Sequence, residues 1–124
     1  MKSTAFALLA ASAVTLSLTA PVHAAPIERA DWPGYILTVE FVRTGEIRGL
    51  NLHCDPAGGS HPKPEEACSA IAGAGSIEEL RGEPAPCTLV HDPVIARATG
   101  VEEFEQEFPN SCVLLNEKGV VFDF

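Results

Sequence analysis

Four cysteines in a chain of 124 residues, Cys54, Cys68, Cys87 and Cys112, do most to limit what this sequence can fold into. Their role depends on where the chain is sent. Met1–Lys2 is a short basic start, residues 5–18 carry no charge, and Val22 and Ala24 stand at the −3 and −1 positions of a small-residue cleavage site in "PVHAAPIE". This is the pattern of a secretory signal peptide, residues 1–24, removed after Ala24. The apolar run is too short to span a bilayer comfortably, and nothing later in the chain is long and apolar enough to do so. In an exported chain thiols oxidise, so two disulfides are expected. Sequence leaves three connectivities open. Nearest-in-order pairing would join Cys54 to Cys68 and Cys87 to Cys112. Closing loops of that size is worth about 3 kcal/mol each in the chain-entropy model, a large share of a domain's total of roughly 5–15 kcal/mol.

The chain beyond the signal peptide is one small domain. Residues 25–33 read as a flexible leader and 34–124 as the folded unit. A domain of this size buries a modest core and depends on staples. The whole chain carries a net charge of −9, and loss of Lys2 makes the mature form one unit more negative. That balance argues against nucleic acid and anionic membrane as partners.

Periodicity outlines the elements. Tyr35–Arg43 is rich in β-branched and apolar residues, Thr44–Gly45 makes a turn, and Glu46–Cys54 alternates imperfectly, with Ile47, Leu50 and Leu52 as its apolar marks. "DPAGGSHPKP" is a turn-rich loop. "PEEACSAIAGAG" predicts a short helix, with proline and two acids in its first turn, Ala67, Ile71 and Ala74 on one side, and a glycine stop. Ser76, with Glu79 three residues on, caps one further helical turn. Val94–Ala98 and Val101–Phe108 read as a hairpin around Thr99–Gly100, with Phe104 and Phe108 inward and the acids in water. "GVVFDF" reads as a last strand with Val120, Phe122 and Phe124 on one face. The sum is an α+β fold: an antiparallel sheet of about five strands with one or two short helices packed on one face, stapled by two disulfides.

No catalytic or metal-binding pattern stands out. His53, Cys54, His61 and Cys68 lack the close ligand pairs of structural zinc sites, and an exported chain favours the disulfide. An even cysteine count leaves no thiolate nucleophile. G-x-S-x-G, H-E-x-x-H and phosphate-cradling glycine loops are absent. Glu102, Glu103, Glu105 and Glu107 read as a solvated face rather than a carboxylate pair for glycoside chemistry. Neither an enzymatic activity nor a cofactor or metal is expected. His61, before Pro62, reads as a loop hydrogen-bonder.

One stretch resists a structural reading. In "EPAPCTLVHDP" (83–93), Pro84, Pro86 and Pro93 hold the backbone extended. Cys87, if bridged, nails the middle of the segment to the body. Leu89, two residues on, then cannot retreat. Either Leu89–Val90 opens a core strand, or Leu89 is displayed, and a displayed apolar residue marks a binding site.

"CDPAGGSHPKPEEACSAI" (54–71) resembles the C-x-P-x2-G-x-H-P-x4-A-C signature of the subtilisin-inhibitor-like family of exported bacterial inhibitors. Cys54, Pro56, Gly59, His61, Pro62, Ala67 and Cys68 fall in place. "CTLVHDPV" (87–94) is similar to the family's reactive-site segment, "FPNSC" (108–112) to its F-x-N-x-C, "VVFDF" to its terminal V-F-x-F, and "LTV" (37–39) to its first strand. Pro86 stands where the family commonly has a larger apolar residue. The resemblance implies an α+β sandwich of one sheet and two helices, disulfides Cys54–Cys68 and Cys87–Cys112, and a homodimer built through the sheet. It implies a secreted inhibitor of an extracellular serine protease, subtilisin-like or chymotrypsin-like, contacting it through Pro86, Cys87, Thr88, Leu89, Val90 and His91. The reactive-site bond would be Leu89–Val90. Inhibition of a metalloprotease, or non-inhibitory binding on the same fold, are the alternatives.

Overall fold

A computed structural model describes residues 34–124 of the chain. The expected signal peptide, its cleavage after Ala24 and the leader lie outside the described residues. The chain builds β1 (Gly34–Phe41), β2 (Glu46–Cys54), β3 (Ala57–Gly59), α1 (Pro64–Ala74), β4 (Val94–Gly100), β5 (Phe104–Phe108), α2 (Ser111–Lys118) and a 3-10 helix (Gly119–Phe122). The five strands form one antiparallel sheet in the order β3-β2-β1-β4-β5.

Alternation decides which face is buried. In β1, Tyr35, Leu37 and Val39 are buried, and the register sets Leu37 opposite Leu50 and Ala98, and Val39 opposite Ala96. Residues paired across an antiparallel ladder share a face, so Leu37, Val39, Leu52, Ala96, Ala98 and Phe108 form one floor. Ala67 and Ile71 of α1, Ile77 and Leu80, Leu114 of α2, and Val121 and Phe122 complete the core above it. Ile47 pairs with Glu40 on the opposite face and is exposed. The uneven apolar spacing of β2 thus splits its marks between the two faces.

The helix and hairpin expectations are largely met. α1 carries proline in its first turn and Glu65 and Glu66 near its amino end, and it closes on Gly75 in the left-handed region, φ +93°. Ser76 Oγ accepts from Glu79 N–H at 3.1 Å, over a hydrogen-bonded turn rather than a helical one. In β5, Phe104 and Phe108 point inward and Glu105 and Glu107 outward. His61 is buried and bonded at both ring nitrogens: Nδ1 accepts from Lys63 N–H (3.0 Å) and Nε2 faces the Val121 carbonyl (3.2 Å).

Three expectations are corrected. The expected loop 55–64 contains the short strand β3, which pairs with the end of β2, and its last residue, Pro64, already opens α1. Thr99–Gly100 is not the hairpin turn, because β4 runs through Gly100 and pairs it with Tyr35. Gly100 has φ +108°, and a Cβ there would strike the Gly34 carbonyl. Only glycine allows β1 so close, and the reversal falls at residues 101–103. The carboxyl end is not a strand. Adjacent Val121 and Phe122 are both buried, which alternation forbids, and Gly119–Phe122 coils as a 3-10 turn over the core.

Lys118 is buried, and its Nζ donates to the carbonyls of Ile77 (3.2 Å) and Glu78 (2.7 Å) above the Phe104 ring. Burial, and then the Arg81 charge, hold its pKa below the usual lysine value. It ties the end of α2 to the turn after α1, and so fixes where the next segment starts.

Leu37 has no exposed surface at the centre of the sheet. Leu37→Ala should lower unfolding free energy by about 2–5 kcal/mol. Urea denaturation reads this as a lower midpoint, and an unchanged midpoint would contradict the assigned register.

Candidate functional site

Between Leu80 and β4 the chain runs through 81–93 with no helix or strand. It does not wander, because α2 and the residues just before it hold most of its length. Gly82 N–H donates to the Glu117 carbonyl at 3.0 Å. Gly82 fits so closely that a Cβ would lie 2.5 Å from the Leu115 carbonyl oxygen and 2.6 Å from that of Asn116. The Asn116 amide grips both main-chain groups of Ala85, its Nδ2 donating to the carbonyl (2.6 Å) and its Oδ1 accepting the N–H (3.2 Å). The same Nδ2 lies 3.2 Å from Cys87 Sγ.

Cys87 is bonded to Cys112, near the amino end of α2, and Cys54 to Cys68. Both pairings are those expected, and they remove Cys54 and Cys68 from any zinc set. Among the described residues, no group of three or more His, Cys, Asp or Glu could hold a metal ion.

Past the disulfide, Asn110 takes over. Its Nδ2 donates to the carbonyls of Thr88 (3.3 Å) and Val90 (2.9 Å), straddling Leu89, while its Oδ1 accepts Val113 N–H (3.0 Å) and so caps α2. Asparagine is among the best residues for that position. Asp92 N–H then donates to the Pro109 carbonyl (2.9 Å) and Val42 N–H to the Pro93 carbonyl (3.0 Å), leading the chain into β4. Arg43 and Asp92 meet at 3.6 Å with both side chains largely in water, a geometry worth little.

Apart from the weak Arg43–Asp92 pair and the Arg81 side chain on the preceding turn, the bonds that hold the loop reach its main chain or its disulfide, and what it displays from Thr88 to His91 is side chain. Leu89 is fully exposed, 102 % of its reference surface, and Val90 is 58 % exposed. Thr88, His91 and Pro86 are exposed too, and Cys87 is half-buried. Leu89–Val90 therefore does not open a core strand; burial begins at Val94. Chemically, this is a pre-ordered peptide outside any helix or strand that displays the apolar side chains of Leu89 and Val90.

The display and one anchor are legible in the sequence, but the helix that supplies the other anchors is not among the predicted elements. Residues 112–116, "CVLLN", fall within it. Its signals are Asn110 as a cap, Lys118 in the last turn and Gly119 beyond it. Glu102, expected among the solvated acids, instead turns its carboxylate onto Ile77 N–H at 2.9 and 3.1 Å.

The family model described as subtilisin inhibitor-like matches residues 36–110. Among curated relatives, Subtilisin inhibitor-like protein 5 of Streptomyces fradiae is 40 % identical over 101 residues, covering 72 % of this chain and 94 % of that protein. The Subtilase-type protease inhibitor of the same organism is 33 % identical and covers 94 % of this chain and 92 % of its own. A trypsin inhibitor of Streptomyces longisporus is 35 % identical over 75 residues, covering 54 % of this chain and 52 % of its own.

Asn110→Ala should cost about 1–2 kcal/mol through the lost helix cap and release the carbonyls of Thr88 and Val90. Thermal unfolding combined with limited proteolysis checks both effects. Unchanged resistance of bonds 88–91 in a variant that remains folded would contradict the brace.

Proposed function

This chain belongs to the subtilisin inhibitor-like family, and we propose that it is a secreted inhibitor of serine proteases that offers Leu89–Val90 as a substrate-like bond. The observation that carries the proposal is the full exposure of Leu89 midway between Asn110's two carbonyl contacts. The names of the relatives point to proteases as the partners. In this reading residues 1–24 are removed after Ala24, and the protein acts in an oxidising compartment, consistent with its two disulfides.

The inhibitor is a substrate that fails to leave. The loop docks extended in the protease cleft and adds to it as a strand. Leu89 enters the primary pocket as the buried anchor, an apolar choice that suits subtilisin-like and chymotrypsin-like enzymes. Its carbonyl carbon meets the serine, and its oxygen the oxyanion hole. If the bond is cut, the new amine at Val90 stays in place. On one side Cys87 remains joined to Cys112; on the other, Asn110 holds the Val90 carbonyl and Pro109 holds Asp92 N–H. Re-formation of the bond then competes with release. Docking also orders little that is not already ordered, which is how an interface of standard size becomes tight.

The outer face of the sheet supports a homodimer as part of this proposal. Ile36 and Ile47 are exposed there, on either side of Thr38, Glu40 and Arg97, and the Arg97–Glu40 ion pair (2.7 Å) is only partly solvated.

Titration of subtilisin with residues 25–124 should break at one inhibitor chain per enzyme, with any slow clip between Leu89 and Val90 by intact mass. Rapid degradation without inhibition would sink the proposal. Leu89→Lys should move preference toward trypsin-like enzymes, seen as a reversed ratio of inhibition constants. Full reduction should turn the inhibitor into a substrate, and inhibition that survives it would remove the anchoring role of the disulfides.

A further inference from the structure

The inhibitor reading leaves open how much of the loop a protease can pair with, and we infer that the main-chain ladder offered on the acyl side of Leu89 stops at Cys87. This rests on the proposed function and narrows the class of partner. The favoured protease gains nothing from pairing beyond the third residue before the bond.

The two edges of the loop decide this. In an extended chain successive residues turn their N–H and C=O groups to opposite sides, so a partner strand reads every second residue. Leu89, Cys87 and Ala85 share one edge. Val90, Thr88, Pro86 and Pro84 share the other. The second edge faces the body, because Asn110 Nδ2 takes the carbonyls of Thr88 and Val90. The first edge is therefore the one presented at Leu89 and Cys87, and a longer partner would look for its next rung at Ala85, where the chain has turned this edge onto α2. Ala85 is unavailable: Asn116 occupies both its N–H and its C=O. Rotating the loop to present the other edge would not help, since Pro86 and Pro84 have no N–H to donate. From 84 to 86 no main-chain donor is free on either edge.

Asn116 is thus a positioning residue with an effect on specificity. It gives the loop a fixed base, and it withdraws the rung that a long cleft would use. A protease that binds substrates through three acyl-side residues loses nothing. One that relies on a fourth and fifth meets an occupied backbone.

The test uses two serine proteases that accept leucine, chosen by measuring kcat/KM on leucine-ending peptide substrates lengthened from three to five acyl-side residues. The short-cleft enzyme shows no gain on lengthening, and the long-cleft enzyme a clear one. Inhibition constants of the mature protein and of Asn116→Ala are measured against both. The expected result is that the wild type favours the short-cleft enzyme, and that Asn116→Ala shifts the ratio of the two constants toward the long-cleft enzyme by about fivefold, the worth of one net hydrogen bond. A general loosening of the loop weakens both constants and cancels in the ratio. Hydrogen exchange at Ala85 N–H, slow in the wild type and fast in the variant, reports release of the clamp independently of inhibition. A freed Ala85 with an unmoved ratio, or a wild type that already favours the long-cleft enzyme, overturns the inference while leaving the inhibitor reading intact. Inhibition of neither enzyme overturns both.

Discussion

The grip of α2 on the segment before β4 is the constraint on which the rest depends. Between Asn110 and Lys118 the chain supplies a disulfide, two side-chain amides bonded to loop main chain, a carbonyl for Gly82, and a buried lysine that fixes the preceding turn. None of these alone would order a loop of this length. Together they leave it little conformational freedom, so its entropy is lost on folding rather than on binding. The helix is itself pinned by Leu114 in the core and by Asn110 as its cap. Loop order is therefore inherited from global folding and persists as long as the sheet does.

The sheet contributes by being asymmetric. One face takes both helices and the 3-10 turn. The other is left with isoleucines set among a threonine, a glutamate and an arginine. The loop lies at the end of the molecule where β4 begins, tethered to β1's end by Val42 and continuous with Val94 at the core. A rigid floor under one end of the loop and a short capped helix along its length make a frame that does not depend on what the loop displays.

Much of this is legible in the residues, and the gaps have physical causes. α1 is readable because its proline, acids and glycine stop all agree. β5 is readable because Phe104 and Phe108 alternate against glutamates. Gly100 passes for a turn residue because glycine also permits close strand approach, and nothing local separates the two uses. The carboxyl end misleads through a spurious alternation, since Val120, Phe122 and Phe124 imitate a strand while the core takes Val121 and Phe122 together. α2 escapes notice because a helix so short and weakly amphipathic carries little periodic signal, and its stability comes from a disulfide and tertiary packing. Within the site, Leu89 and Cys87 stand out through proline restriction and an unpaired apolar residue. Asn110 and Asn116 do not, because they act on main-chain groups far away in the chain, and no spacing rule encodes that.

The division between held backbone and free side chains has an evolutionary consequence. Thr88, Leu89, Val90 and His91 are all exposed, and the bonds that restrain this stretch reach carbonyls common to every residue type. Substitution at these positions is therefore nearly silent to the fold, while it would rewrite whatever surface the loop meets. Selection for a new target and selection for a stable domain then act on separate sets of residues. A lineage built this way can drift across many partners without passing through an unfolded ancestor.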